Sequence, residues 1–478
     1  MTTAIVVGSG PNGLAGAITL ARAGMEVTVL EAAGTIGGGT RTSELTVPGL
    51  LHDHCSAFHP MGLAAPFFTG LDLGAHGVQW RWAPVEAAHP LDDGSAGVLH
   101  RSLEATCAGL GADGSAWRRV FEPLVEHLNE LFEDLMRPIL HVPAHPVSLA
   151  RFGARAGLSA TALGRAFRTP EARALFTGAA AHAIHPLTRP ATSAIGLMLL
   201  AAGHRVGWPV PEGGSAVITA ALAQILVEHG GRIETGVRVR SLSELPPTDL
   251  ILLDVAPDVA IALAGDALPT RVHRAYQRFR RAPGAFKLDL AVEGGLPWAN
   301  TDCNRAGTVH VGGAAAQVVA AEREVYAGRM PERPFMLVGQ QYLADPARSR
   351  GNVHPVWAYA HVPFGYAGDA TEAMLAQLER FAPGARERIV ATVATTPTQW
   401  ESYNPNFVGG DIITGANSPR QLLARPRPAL NPYATGIAGV YLCSAATPPG
   451  GGVHGMCGYN AATIALADLR TGGPAKAY

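Results

Sequence analysis

The stretch that most limits what this chain can fold into comes first: TAIVVGSGPNGLAGAITLARAGMEVTVLE, residues 3–31. Ala4 to Val7 is a short unbroken apolar run, the pattern of a parallel strand covered on both faces. Gly8, Gly10 and Gly13 follow in G-x-G-x-x-G spacing. A helical pattern then runs from Leu14 to Ala23, Gly24 ends it, and a second strand, EVTVL, closes at Glu31. Gly8 permits the tight turn, Gly10 clears the way for backbone N–H groups to approach a pyrophosphate, and Gly13 lets helix and strand pack closely. The helix N-terminus adds partial positive charge for an anion. Glu31, at the end of its strand, is placed to accept from both hydroxyls of a ribose. Strand, helix, strand and terminal acid in register predict a dinucleotide site in an α/β fold.

Composition narrows the rest. A chain of 478 residues is expected to form two or three lobes. Hydrophobic residues make up 47% and charged ones 16%, enough apolar material for a large core. The formal net charge of −1 offers no basic field for nucleic acid, so that class is set aside. Five widely spaced cysteines form no C-x-x-C pair, which argues against a disulfide framework and a zinc site. Reduced thiols in a cytoplasmic protein are expected. The N-terminus lacks the basic region of a signal peptide. ATSAIGLMLLAAG, the most apolar later stretch, is too short to span a bilayer, which leaves a soluble or membrane-surface protein.

After Glu31 comes EAAGTIGGGTRT, with Gly37 and Gly38 followed by Arg41 and Thr42. An acid, a short gap and then G-G-x-x-R-[ST] resembles the second FAD signature of the glutathione-reductase-type superfamily, in the branch of amine oxidases and phytoene desaturases. The resemblance implies that Gly37, Gly38 and Arg41 lie along the pyrophosphate and ribityl of FAD. VPEGGSAVITAALAQILVEHGGRIETGVRVRSL resembles a further unit of that family, and places Val239 beside adenine. Near the C-terminus, GVYLCSAATPPGGGVHGMCGYNAATIALADL resembles its closing flavin motif: a strand, a Gly/Pro turn through Gly450, Gly451 and Gly452, and a helix expected to begin near Val453. A helix starting there aims its N–H groups at the flavin edge where charge collects on reduction. Amine oxidases commonly place an acid at the strand end of this motif. Ser444, Ala445 and Ala446 stand there instead, so the pattern is closer to phytoene desaturases, carotenoid isomerases and the pyridine-nucleotide-disulfide-oxidoreductase-domain-2-like proteins.

Three remote segments must meet at one cofactor. The expectation is a discontinuous Rossmann-like FAD-binding domain over residues 1–70, 205–280 and 405–478. Residues 71–204, read as mostly helical, and 281–404, read as strands, form a mixed-sheet and helical substrate domain.

Of thirty-seven basic residues only Lys287 and Lys476 are lysines. In AFKLDLAV, Phe286, Leu288 and Leu290 share one face, Lys287 and Asp289 the other. The plain reading is an ion pair on a solvated face. A compact ammonium that a tight site can deprotonate is the functional one. APGAFKLDLAVEGGLPW resembles the strand of flavin amine oxidases whose lysine holds a water against flavin N5, with Pro297 and Trp298 downstream. That places Lys287 near N5, tethered by Asp289.

His54 and His59, in GLLHDHCSAFHPMG, are candidate polar liners of the ring, and no metal site is expected there. Trp357, Tyr359 and His361 share a strand face and are candidates for an aromatic wall with catalytic members. Trp208 falls at the domain junction, and His454 is the leading titratable candidate beside the ring. Gly451, Gly452 and Val453 complete the cofactor set.

The expected activity is hydride transfer from a carbon of an apolar small-molecule or lipid-like substrate to flavin N5. Alternatives are a flavin-dependent double-bond isomerase, a flavin amine oxidase and a non-catalytic FAD-binding partner protein. RPILHVPAHPVSLARFGARAG mixes arginine with apolar residues, as a segment in peripheral membrane contact would, and a buried helix would explain it equally. Electron acceptor and oligomeric state are not encoded in any pattern found.

Overall fold

The structure is a computed structural model that describes residues 2–471; Lys476 lies outside the described residues. Two sheets organise it. The first is a five-stranded parallel sheet in the order Val440–Leu442, Leu250–Leu253, Thr3–Val7, Glu26–Glu31, Arg232–Thr235. Its inner strands are near-continuous apolar runs because helices cover both faces. LILL at Leu250–Leu253 is buried at all four positions. Consecutive positions in this sheet are thus filled from three stretches of chain, around residues 3–31, 232–253 and 440–442.

One helix crossing brings the remote ends together. Pro11–Arg22 starts with proline, whose fixed φ suits the first turn. It packs against Met456–Arg470 so closely that a Cβ on Gly458 would sit 1.7 Å from the Asn12 carbonyl oxygen. Only glycine fits, and the contact sets the C-terminal turn beside the first glycine loop.

The second sheet runs Ile389–Thr395, Gly284–Glu293, Val353–Val362, Met336–Gly339, Ala306–Val311, Val85–Pro90, Ala96–Leu99. It is antiparallel except where Ala306–Val311 lies parallel to Val85–Pro90. Val85–Pro90 and Ala96–Leu99 lie inside the region read as helical. VEAAHP carries no period-2 signal because all six residues are buried, so only the sheet itself defines it. Phe286, Leu288 and Leu290 face a core with Val356 and Met336, each worth about 1.5–3 kcal/mol of burial. The opposite face of the sheet is the floor of the site.

Candidate functional site

At the first glycine loop, the Gly13 N–H is 2.9 Å from Oδ2 of Asp254, and a Cβ on Gly13 would lie 2.1 Å from the Gly8 carbonyl oxygen. Gly37 donates its N–H to the Ser9 carbonyl at 3.1 Å, which folds the second glycine pair onto the first. A Cβ on Gly38 would then approach Gly10 Cα to 3.1 Å. Glu31 ends its strand buried, with Oε2 accepting from the Ser9 N–H at 3.0 Å and Oε1 from the Ala33 N–H at 2.8 Å. Arg41 lies 3.6 Å from Glu31, donates to the Thr35 carbonyl at 2.8 Å, and its guanidinium sits over the Tyr403 ring. Tyr403 donates its hydroxyl to the Gly38 carbonyl at 2.8 Å and so braces the turn.

Across from this loop lies the C-terminal turn. The last helix begins at Met456, not near Val453, because Gly455 takes a left-handed conformation at φ 69 and holds the preceding residues outside the helix. His454 therefore precedes the helix. Its Nδ1 accepts the Met456 N–H at 3.1 Å, leaving the proton on Nε2. Burial, with Arg425 nearby, pulls its pKa down to about 4, so the ring is neutral at pH 7.

A single cavity of ≈ 710 Å³ connects these parts. Gly8, Gly10, Glu31, Gly38, Arg41 and Val239 line the cavity at the glycine cradle, Gly451, Gly452, Val453 and His454 at the C-terminal turn, and Trp208, Trp357, Tyr359 and His59 line it as well. His59 donates or accepts at Ser215 Oγ, 2.9 Å away, and burial lowers its pKa to about 4. Burial also pushes the Tyr359 hydroxyl well above the ordinary phenol range.

Gly13, Gly37, His54, His361 and Lys287, singled out from sequence, are not on the cavity wall. Gly13 and Gly37 lie behind the loop, in the contacts just described. His54 packs on Tyr403 at 5.3 Å between centroids and bonds Ser43 Oγ at 2.7 Å; burial and the charge of Lys287 lower its pKa to about 4. His361 shares the face of Trp357 and Tyr359, but its strand runs on beneath the helix Ala315–Tyr326. There Glu322 takes its Nδ1 at 2.8 Å in a fully buried pair. Lys287 sits opposite Tyr359 in the sheet register and is 1% exposed, so the solvated-face reading is wrong. Its ammonium donates to both Asp289 oxygens at 2.7 Å and to the Asp53 carbonyl at 2.9 Å, which satisfies all three donors. The strand Leu51–Asp53 covers it, a neighbour that no local pattern announces.

Asp53 continues the network. Burial would raise its pKa, yet Arg348 together with the Ser215 N–H and the Thr42 hydroxyl outweighs burial and holds it low. Arg348 also bonds Asp345 at 3.0 Å, and Asp345 accepts the Gly213 N–H at 2.8 Å. These buried charges fasten the strand Leu51–Asp53 and the turn before Ala216–Glu228 to the second-sheet lobe.

Three wall residues escaped sequence reading. Asp254 ends LILLD much as Glu31 ends its own strand, a signal that was present. Arg425 in QLLARPRPAL and His182 carry no local signal. His182 bonds His310 Nε2 at 3.0 Å, and burial, aided by His361, lowers its pKa to about 3. The Asp254 carboxyl, wholly buried and near Glu31, is raised to about 7 despite the Gly13 and Gly10 N–H groups. A half-neutral acid at the cradle limits repulsion of a diphosphate. Backbone N–H groups at a helix start, an acid for a ribose and a cavity that extends past a glycine turn to an aromatic floor fit a dinucleotide with a flat ring at its far end.

Fold and site together define a class: a Rossmann-like dinucleotide-binding domain whose cavity is completed by a separate mixed-sheet lobe. Residues 6–67 match the family model of the NAD(P)-binding Rossmann-like domain. Among curated proteins, the pyridine nucleotide-disulfide oxidoreductase domain-containing protein 2 of Rattus norvegicus is 25% identical over 559 aligned residues, covering 98% of this chain and 94% of the relative. Among solved structures, an oxidoreductase from Methanosarcina mazei has a TM-score of 0.62 at 16% identity and covers 98% of this chain and 100% of its own. A putrescine oxidase bound to putrescine has a TM-score of 0.62 at 16% identity, covering 98% and 99%. This chain has the fold of those oxidoreductases. No helix among the described residues is long and apolar enough to cross a membrane.

Proposed function

We propose that this chain is an FAD-dependent oxidoreductase of the phytoene-desaturase-like type, which removes a hydride from a carbon of an apolar small-molecule or lipid-like substrate. The observation that carries it is the continuity of one cavity from the glycine cradle, past the C-terminal turn, to Trp357 and Tyr359. Gly8, Gly10, Glu31, Gly38, Arg41 and Val239 would hold the dinucleotide, and Gly451 to Val453 the ring end. When bound, FAD supplies the hydride acceptor. The chain's own residues orient the substrate against it, exclude water and, through the Nε2–H of His454, offer a neutral donor beside the turn.

An amine oxidase is the rival suggested by the putrescine oxidase fold. Among the described wall residues the only carboxylates are Glu31 and Asp254, both at the cradle. A cationic amine would find no counter-charge on the substrate side, and Arg425 would repel it. The exposed apolar residues Ile139, Leu140, Val142 and Val147 flank Met136 and Phe152, which line the cavity. We assign to that rim the peripheral membrane contact through which an oily substrate would enter.

Purified protein should carry the absorbance of oxidised flavin, and anaerobic mixing with polyenes, fatty acids, cyclic ketones and amines should bleach it only with members of the apolar classes. Product mass then separates oxidation, with loss of two hydrogens, from double-bond isomerisation, with none. Protein that neither retains nor takes up FAD ends the reading, and bleaching by amines alone replaces it with the rival.

A further inference from the structure

Arg425 is 2% exposed and lines the cavity. A buried guanidinium stays charged, because arginine does not give up its proton in proteins, and a charge out of water needs compensation. Its contacts supply little. Nη2 donates to the Thr414 carbonyl at 3.1 Å, Nε to the Ala446 carbonyl at 3.4 Å and Nη1 to Asn417 Oδ1 at 3.5 Å. All three acceptors are uncharged, two are at the long limit of a hydrogen bond, and five N–H groups are available. Asp411, in the same segment, is near enough for its charge to favour the guanidinium, but it makes no ion pair with it and accepts instead from the N–H groups of Ala282, Ile413 and Gly415. No carboxylate among the described residues pairs with Arg425. The other buried cations among the described residues, Lys287 and Arg348, each hold at least one.

The position is built, not incidental. A Cβ on Gly450 would lie 2.5 Å from Arg425 Nη1, so the absence of a side chain there admits the guanidinium beside the turn. Asn417, which touches the guanidinium, donates to the Ala183 carbonyl at 3.2 Å and ties this corner to the His182 end of the cavity. The wall beyond it is apolar: Ile195, Met198, Leu199, Met136 and Phe152. Arg41 and Arg238 line the cradle end of the cavity with Glu31 and Val239, whereas Arg425 stands beside this apolar wall, an arrangement that matches a ligand with one anionic head and an apolar body. Arginine's planar fork suits a carboxylate in particular.

Resting on the cavity being the substrate site, we propose that Arg425 is the anchor for a carboxylate, which makes the substrate class an apolar carboxylic acid. The test compares decanoic acid, methyl decanoate and decanol as ligands of the FAD-loaded protein at neutral pH, by calorimetry and by perturbation of the flavin spectrum. Wild-type protein should bind the acid at least about tenfold more tightly than the ester or the alcohol, the scale of a charge-assisted hydrogen bond. Arg425→Met should bind all three alike while keeping its full flavin content, and Arg425→Lys should recover part of the preference. Equal binding of acid and ester by the wild type, or a preference that survives in Arg425→Met, overturns the proposal. So does Arg425→Met that folds but releases FAD, which would give the cation to the cofactor. If a variant does not fold, the wild-type comparison decides alone. Failure of the oxidoreductase reading is separate: it shows as protein that takes up no FAD before any acid is added.

Discussion

Lys287 and Arg425 are both nearly out of reach of solvent, at 1% and 2% exposed, and they are held in opposite ways. The lysine fills every donor with Asp289 and the Asp53 carbonyl. The arginine meets only neutral oxygens, at 3.1 Å or more. The first is closed and lies behind the cavity wall; the second is open and forms part of it. A buried cation with its own carboxylate belongs to the architecture. One without it has binding capacity left over.

The comparison breaks first at Lys287. Lys287→Met leaves the buried Asp289 carboxylate with only His52 Nδ1, 3.3 Å away, which should cost about 3–5 kcal/mol in denaturant unfolding. Adding Asp289→Leu to the same chain should restore most of that loss, since removing both charges of a buried pair is near neutral. A single variant as stable as wild type would show that the pair is not closed.

Asp254 extends the contrast to a buried anion without a cation. Burial raises its pKa from 3.8 to about 7. In the unfolded chain the acid ionises near the lower value, whereas the folded protein holds the proton up to the higher one. Folding stability is therefore complete in acid and declines as pH rises through that interval. Between about pH 5 and about pH 8 the wild type should lose on the order of 2 kcal/mol from this group, and Asp254→Asn should not. Identical pH profiles would mean that the cradle carboxylate is ionised throughout. FAD retention should also weaken at alkaline pH in the wild type and stay level in the variant.

The smallest effect is expected at Arg425. Because the guanidinium has no carboxylate to leave unpaired, Arg425→Met should change unfolding free energy by less than about 1 kcal/mol, in either direction. A loss as large as that of Lys287→Met would show that the two cations are held alike after all.

How much was legible from the chain varies from residue to residue. Gly13 and Glu31 could be read because the chemistry of a phosphate cradle forces small residues and an acid into fixed spacing, and Gly38 through its resemblance to the second FAD signature. His454 was placed at the correct turn but within the helix, since the residue that delays the helix, Gly455, looks in sequence like any other glycine of the run. Trp357, Tyr359 and His361 were correctly put on one strand face by alternation. Alternation could not show where that face leaves the cavity and passes under Glu322. Asp254 could have been seen, as an acid closing an apolar strand, whereas Arg425 follows an unremarkable short helix with nothing to mark it.

Local covalent geometry and period were sufficient for the first strand–helix–strand unit, since a G-x-G-x-x-G turn between apolar strands has few ways to fold, whereas the other cofactor segments were legible only through a family resemblance. Which charges are spent and which remain free was settled only by the tertiary structure. Asp53 reaches Lys287 across 234 positions, and Glu322 reaches His361 across 39. The energy of a buried charge depends on partners delivered by other segments of the chain, and those partners exist only once the segments have packed.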